Sequence, residues 1–261
     1  MDNVQQVNKN TIKTSGIPMD DIIRQVLKIP FVKINRSKFL KRELAKYYPE
    51  TIVDQAIQHN PAYAGIERKH INRIAKKVIN YETRRVTTLS LMSGVPGENK
   101  LAVSVSADVI QSFVFILRVI QKLSYLYGFE EFYLNEEKID PSTMRQLKIF
   151  IGIMFGVRGA STSLRVASET VTHKISKSAT KAIMNYKTSL PIVDNVTYLV
   201  GERMINQIFL KSVSKVIPIA GGIVTGGLTY ASFKLYAHKL KNDFKKLDLS
   251  DPNYYRQQEN Q

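Results

Sequence analysis

Apolar and polar positions recur along this chain at helical spacing and nowhere alternate long enough to predict a strand, so the pattern predicts an all-α protein. Three short helices come first. Residues 20–29 open on Asp20 and Asp21 and stop at Pro30, residues 37–48 are closed by Pro49, and residues 49–58 end before Asn60-Pro61. Proline ends a helix because it lacks an amide hydrogen and its ring clashes with the preceding turn. From Ile66 to about Ser93, Ile71, Ile74, Ala75, Val78 and Ile79 share one face while Arg68, Arg73, Lys76 and Lys77 take the other. This is a long amphipathic helix, ended by the breaker cluster Gly94-Val95-Pro96-Gly97. Residues 104–127 carry Val109, Phe113, Leu117, Ile120 and Tyr127 at helical spacing, with Asp108, Arg118 and Lys122 as their charges, and read as a core helix with Gly128 as its C-cap. Asp140-Pro141-Ser142 starts a further helix that runs through Ile149 to Val157. A basic helix follows over 162–185, another begins near Asp194, and the last runs from about Pro218 to Lys246. The polar segments 1–18 and 248–261 read as flexible tails on a single helical domain, 19–247.

Glycines modify this picture in the C-terminal half. Gly152 and Gly156 form one GxxxG in an apolar stretch, and Gly222 and Gly226 form another, broadened by Gly221 and Gly227. A glycine inside a helix costs about 1 kcal/mol relative to alanine, so the cluster needs an offsetting gain, and close approach of two helix backbones supplies one. The expected architecture is therefore a multi-helix bundle with a glycine-rich C-terminal helix pair. The charge-free run between Lys215 and Lys234 has 18 residues. That is near the lower limit of about 17–20 for a bilayer span, but its proline, glycines and hydroxyls make it weakly hydrophobic. Burial in protein and insertion in a bilayer both stay open for it.

Beyond this run, Phe233, Ala237, Leu240, Phe244 and Leu247 form one apolar stripe, while Lys234, Lys239, Lys241, Lys245 and Lys246 cover much of the remaining surface. Such a basic amphipathic helix either lies on an anionic membrane surface or covers the core of its own domain. Gly152, Gly156, Gly222, Gly226, Phe233, Leu240 and Phe244 are thus the candidates for helix packing or membrane contact. The five lysines are the candidates for an anionic surface.

Overall charge reinforces that reading. The chain carries 38 Lys and Arg against 22 Asp and Glu, a formal charge of +16, and residues 145–246 alone hold 16 basic residues against 4 acidic. A field of this sign attracts phosphates, anionic headgroups or an acidic protein. Nucleic acid is the least favoured, because no exposed aromatics interleave with the cations and no helix-turn-helix is evident. Zero cysteines exclude disulfides, thiolate catalysis and Cys-ligated metal, and point to a reducing compartment. The N-terminal residues show no secretory signal, so a cytoplasmic protein is expected. The four histidines, His59, His70, His173 and His238, are scattered, and Gly94 to Lys100 lacks the order of a phosphate-binding loop. No catalytic residue, metal, cofactor or small-molecule substrate is predicted. Asp108, among apolar neighbours, is read as a first-turn carboxylate at the positive end of a helix dipole. Arg118 stands ten residues further along the same helix, too far to be its partner.

Ser93-Gly94-Val95-Pro96-Gly97, Ser106-Ala107-Asp108-Val109, the stretch Gln121 to Phe129, the apolar stretch Ile149 to Val157 and the glycine-rich stretch Val213 to Tyr230 together resemble the EcsC family of bacterial proteins, over about residues 20–246. The resemblance implies an α-helical bacterial protein for which no catalytic residues are established, and none are carried over. Two functional expectations follow: a non-enzymatic protein acting at the cytoplasmic face of a bacterial membrane through its basic C-terminal helix, or a soluble module that binds an acidic protein partner.

Overall fold

Helix ends in this protein coincide with its prolines, glycines and capping side chains. The computed structural model describes residues 19–91, 107–132, 139–165 and 224–259. Their helices are α1 (Met19–Leu27), α2 (Arg36–Leu44), α3 (Glu50–Gln58), α4 (Arg68–Leu91), α5 (Ala107–Leu126), α6 (Pro141–Phe155), α7 (Val224–Phe244) and α8 (Pro252–Glu259), with a 3₁₀ turn at Asp248–Ser250. Residues 160–165 are helical as well, and no strand occurs among the described residues. The all-α expectation is met. The segments 1–18, 92–106, 133–138, 166–223 and 260–261 lie outside the described residues, and with them Gly94 to Gly97, Gly221 and Gly222, most of the helix expected over 162–185 and the one expected from Asp194.

Local chemistry accounts for several of these boundaries. The Asn35 side chain accepts from the Lys38 amide at 2.8 Å and so caps α2. Pro49 stands just before α3. At α6 the Asp140 carboxylate accepts from the Thr143 amide at 3.2 Å, and Pro141 occupies the first helical position, where its missing amide hydrogen costs nothing. Helices α5 and α6 both end on a left-handed glycine. After α5, the Phe129 amide donates to Ser124 O at 3.0 Å around Gly128. After α6, the Val157 amide donates to Gly152 O at 2.8 Å around Gly156. Both closures are Schellman motifs.

This corrects the reading of Gly152 and Gly156 as a helix-packing pair. Gly152 is buried within α6, whereas Gly156 has a φ of 69° and terminates the helix. The Lys239 ammonium lies 3.0 Å from where a Cβ on Gly156 would sit, so a cation approaches the carbonyl end of α6, where the helix dipole favours it. Helices α6 and α7 do pack together, through Phe155 against Tyr236 at 4.9 Å between ring centroids and Phe150 against Phe244 at 4.8 Å. Aromatic rings make the described part of that contact.

Helix α5 is the axis of the bundle. Residues 113–129 are buried throughout, and α1, α2, α4, α6 and α7 all lie against α5. Its C-terminal end meets a cluster in which Phe129 stacks on Phe150 at 5.2 Å and on Phe244 at 4.9 Å. Such rings bury large apolar areas and prefer tilted or edge-on contact.

The segment expected as a C-terminal tail, residues 248–261, is ordered as far as Glu259. Arg68 pairs with Asp251 at 2.9 Å, and Asn60 donates to the Tyr255 hydroxyl at 2.9 Å. Its polar composition suggested a tail because these partners lie far away in sequence. A Cβ on Gly128, whose φ is 102°, would meet Leu249 O at 2.8 Å and Leu249 Cγ at 2.9 Å. Gly128→Ala is therefore expected to destabilise the fold by about 2 kcal/mol or more, through backbone strain and displacement of Leu249. Denaturant titration reads the loss, and amide exchange should show residues 248–259 opening first.

Candidate functional site

Seven Lys and Arg and one acidic residue, Glu82, occupy α4 between Arg68 and Arg85. Apolar positions of α4 face the core, so the cations are left to the opposite side: Lys69, Arg73, Lys76, Lys77 and Arg84 are exposed. Glu82 does not offset them at the surface, because it is fully buried. Helix α7 lies along α4 with its apolar stripe turned inward, and Phe233, Ala237, Leu240, Phe244 and Leu247 are all core residues. Of the two roles expected for Phe233, Leu240 and Phe244, this leaves packing and corrects membrane contact: all three are buried in the core, Phe244 against Tyr127, Phe129 and Phe150, and exposing them would open it.

The inward turn of that stripe fixes both flanks of α7. Tyr236, Lys239 and Asp243 face the end of α6 and residues 160–165, where Ser161 Oγ donates to Asp243 at 2.5 Å. The other flank carries Lys234, His238, Lys241 and Lys245, spaced four, three and four apart on one helical stripe. It faces α4. There the Lys241 ammonium donates to Asn72 Oδ1 at 2.9 Å, and the Tyr127 hydroxyl donates to the same oxygen at 3.4 Å.

Lys241 thus departs from its expected place on a free surface: it is 5% exposed, its stem enclosed in the α4–α7 seam. Lys234 is half-buried, and Lys239, Lys245 and Lys246 are exposed, with Lys246 paired to Asp243 at 3.1 Å. Among the described residues Lys76, Lys241 and Lys245 form no ion pair, and no group of His, Asp and Glu could hold a metal ion. Burial lowers the Lys241 pKa from the usual lysine value, and Lys76 and Lys245 lower it further. Burial likewise depresses His238, helped by Lys241, Lys234 and Lys76. Like charges held together disfavour their own protonated forms, and a bound anion would relieve that cost.

Compared with protein-family models, curated proteins and solved structures, the chain matches none. The EcsC resemblance therefore rests on the sequence blocks quoted above. Of these, 93–97 and 213–223 lie outside the described residues, and Gly226 falls within α7.

Two buried charge networks escaped the sequence reading. Arg118 Nε donates to Glu82 Oε2 at 3.2 Å, Arg118 Nη2 donates to Glu82 Oε1 at 3.3 Å, and the Lys122 ammonium also bonds Glu82 Oε1. A further guanidinium nitrogen of Arg118 bonds Phe31 O, tying the α1–α2 turn to α5. The second network centres on Arg36, which donates to Ile57 O and His59 O at 2.6 Å each and to Phe129 O at 3.1 Å, covering the carbonyl end of α3. Both are satisfied internally and hold elements together. Asp108 sits in the first turn of α5 as expected, and its side chain lies outside the described residues.

Among the described residues no helix is long and apolar enough to cross a membrane; residues 216–223 of the run 216–233 lie outside them. What α4 and α7 present together is a basic, donor-rich surface suited to binding anions.

Proposed function

We propose that this chain is a non-enzymatic helical protein of the EcsC type, held at the cytoplasmic face of a bacterial membrane by the cations of α4 and α7 attracting anionic lipid. The observation that carries this reading is the exposed array Lys69, Arg73, Lys76, Lys77, Lys239 and Lys245 on two adjacent helices, where Glu82 of α4 is buried and Asp243 of α7 is engaged by Ser161 and Lys246. Leu235, 57% exposed on the outer side of α7, adds an apolar contact beside Lys239. Attachment is electrostatic and peripheral, since the large apolar side chains of α7 belong to the core.

Flotation of the full chain with vesicles tests this. Recovery is expected with vesicles in which a third of the phosphatidylcholine is replaced by phosphatidylserine, with release by salt near ~0.5 M, where screening confines surface fields to a few ångströms. Replacing Lys69, Arg73 and Lys239 by Gln should weaken partitioning by about two orders of magnitude, at ~1 kcal/mol per cation. Equal recovery with neutral and anionic vesicles, or none with either, overturns the proposal. A chain that ignores vesicles and co-purifies with one acidic protein assigns the same face to a protein partner.

A further inference from the structure

The seam between α4 and α7 is more specific than a diffuse basic surface requires. Asn72 Oδ1 accepts from both Lys241 and Tyr127, which fixes the amide with its NH₂ group as a remaining donor. Lys76 stands one turn further along α4 from Asn72, while on α7 His238 and Lys245 stand one turn to either side of Lys241, whose carbonyl accepts from the Lys245 amide at 3.1 Å. The described groups gathered along this part of the seam are therefore three lysines, a histidine and an amide, all able to donate. Within the seam no carboxylate among the described residues answers them: Asp243 points to Ser161 and Lys246, and Asp251 pairs with Arg68.

We propose that Asn72, Lys76, His238, Lys241 and Lys245 form a binding site for a phosphate monoester dianion, and that His238 takes up a proton when the phosphate binds. A terminal phosphate offers three oxygens and about two negative charges from one compact centre, matching donors that converge from two helices. A carboxylate brings one charge and two oxygens, and a phosphodiester one charge. His238 is the variable member of the set. Burial first, and then Lys241, Lys234 and Lys76, hold its pKa below the usual histidine value, so at neutral pH the ring is mostly uncharged, and a dianion beside it offsets both the repulsion and the cost of burial. The site rests on the membrane reading only for the source of its phosphate, a lipid headgroup or a soluble phosphate compound, since the chemistry of recognition is the same for both.

The titration of His238 in the full chain, followed by NMR, tests the site without any membrane. His238→Asn identifies its resonance among the four histidines. Inorganic phosphate should raise the His238 pKa by at least about one pH unit, saturably, as expected for opposite charge within ~4–6 Å. Chloride at matched ionic strength should leave it nearly unchanged. Lys241→Met and Lys76→Met should each raise the phosphate-free pKa, by removing a repelling charge, and abolish the response to phosphate. Two substitutions on different helices keep the test intact if one variant fails to fold.

A second arm compares vesicles containing phosphatidic acid, a phosphate monoester, with phosphatidylserine vesicles of equal surface charge. A preference of about tenfold for phosphatidic acid, lost in Lys241→Met, identifies a lipid headgroup as the source. A saturable response to inorganic phosphate without that preference identifies a soluble phosphate compound. A His238 titration indifferent to phosphate, or one that chloride shifts equally, overturns the site. Continued binding to phosphatidylserine vesicles in that case leaves the membrane reading standing.

Discussion

Glu82→Gln should destabilise the folded protein by about 3–5 kcal/mol, although the substitution changes side-chain volume very little. Glu82 is fully buried, and Arg118 and Lys122, only 6% and 3% exposed, both bond its carboxylate. Removing its charge leaves two cations in the interior with a neutral amide between them. Neither can swing out to water easily, since Arg118 is also bonded to Phe31 O and the Lys122 ammonium lies 5.3 Å and 5.8 Å from the ring centres of Tyr81 and Phe39. Urea titration should show a lower midpoint with an unchanged slope, the signature of lost stability without a change in exposed area. Combining Glu82→Gln with Lys122→Met should recover part of the loss, because one of the stranded charges goes with the lysine. Equal midpoints for Glu82→Gln and the wild type would show that the pair contributes nothing net.

The same network gives acid sensitivity a definite sign. Burial pushes the Glu82 carboxyl up, but the Lys122 charge and the Arg118 hydrogen bond outweigh burial and hold its pKa below the ordinary value. A carboxyl whose pKa is lower folded than unfolded contributes its full stability above the unfolded value, near ~4.3, and loses it as pH falls through the folded one. Wild-type stability should therefore fall off below about pH 4.5, while the Glu82→Gln variant, already lacking this contribution, should show a shallower dependence over that range.

Arg36→Met should cost about 3 kcal/mol. The Arg36 side chain, 7% exposed, closes the end of α3 through Ile57 O and His59 O and joins it to Phe129 O. A methionine fills much of the space but donates nothing, so several carbonyl groups lose their partners in poorly hydrated surroundings. Arg36→Lys should restore less than half of the loss, because one ammonium cannot span acceptors that a planar guanidinium reaches together. Thermal unfolding of the two variants measures the difference. Full rescue by lysine would mean that charge, and not the fork of donors, is what the site requires.

The helices were legible in the sequence where their ends are written in local chemistry. Asp140 with Pro141, Pro49, and Gly128 act within one turn of themselves, so spacing alone locates α6, α3 and the end of α5. Gly156 was misread for the opposite reason. A glycine four residues after Gly152 suits either close helix packing or a left-handed stop, and the backbone beyond it decides which. The charge networks were illegible because their members stand far apart: Glu82 lies 36 residues from Arg118 and 40 from Lys122, and Arg36 lies 93 from Phe129. Nothing in the periodicity of α4 distinguishes Glu82 from a solvated acid until α5 is set against it.

The candidate site divides along the same line. The sequence by itself determined that the last long helix carries an apolar stripe with lysines beside it, because helical periodicity sorts residues onto faces whatever the helix later meets. It left open whether the stripe would meet lipid or protein. Only the tertiary structure decided that Phe233, Leu240 and Phe244 are core and that Lys241 is enclosed against Asn72, which sets the Lys76 turn of α4 beside the His238–Lys245 stripe of α7. The physical reason is that a stripe states what a helix can bury, while the partner that buries it comes from elsewhere in the chain. Once α5, α6 and α4 had taken the apolar face of α7, its flanking cations were gathered with those of α4 along one seam.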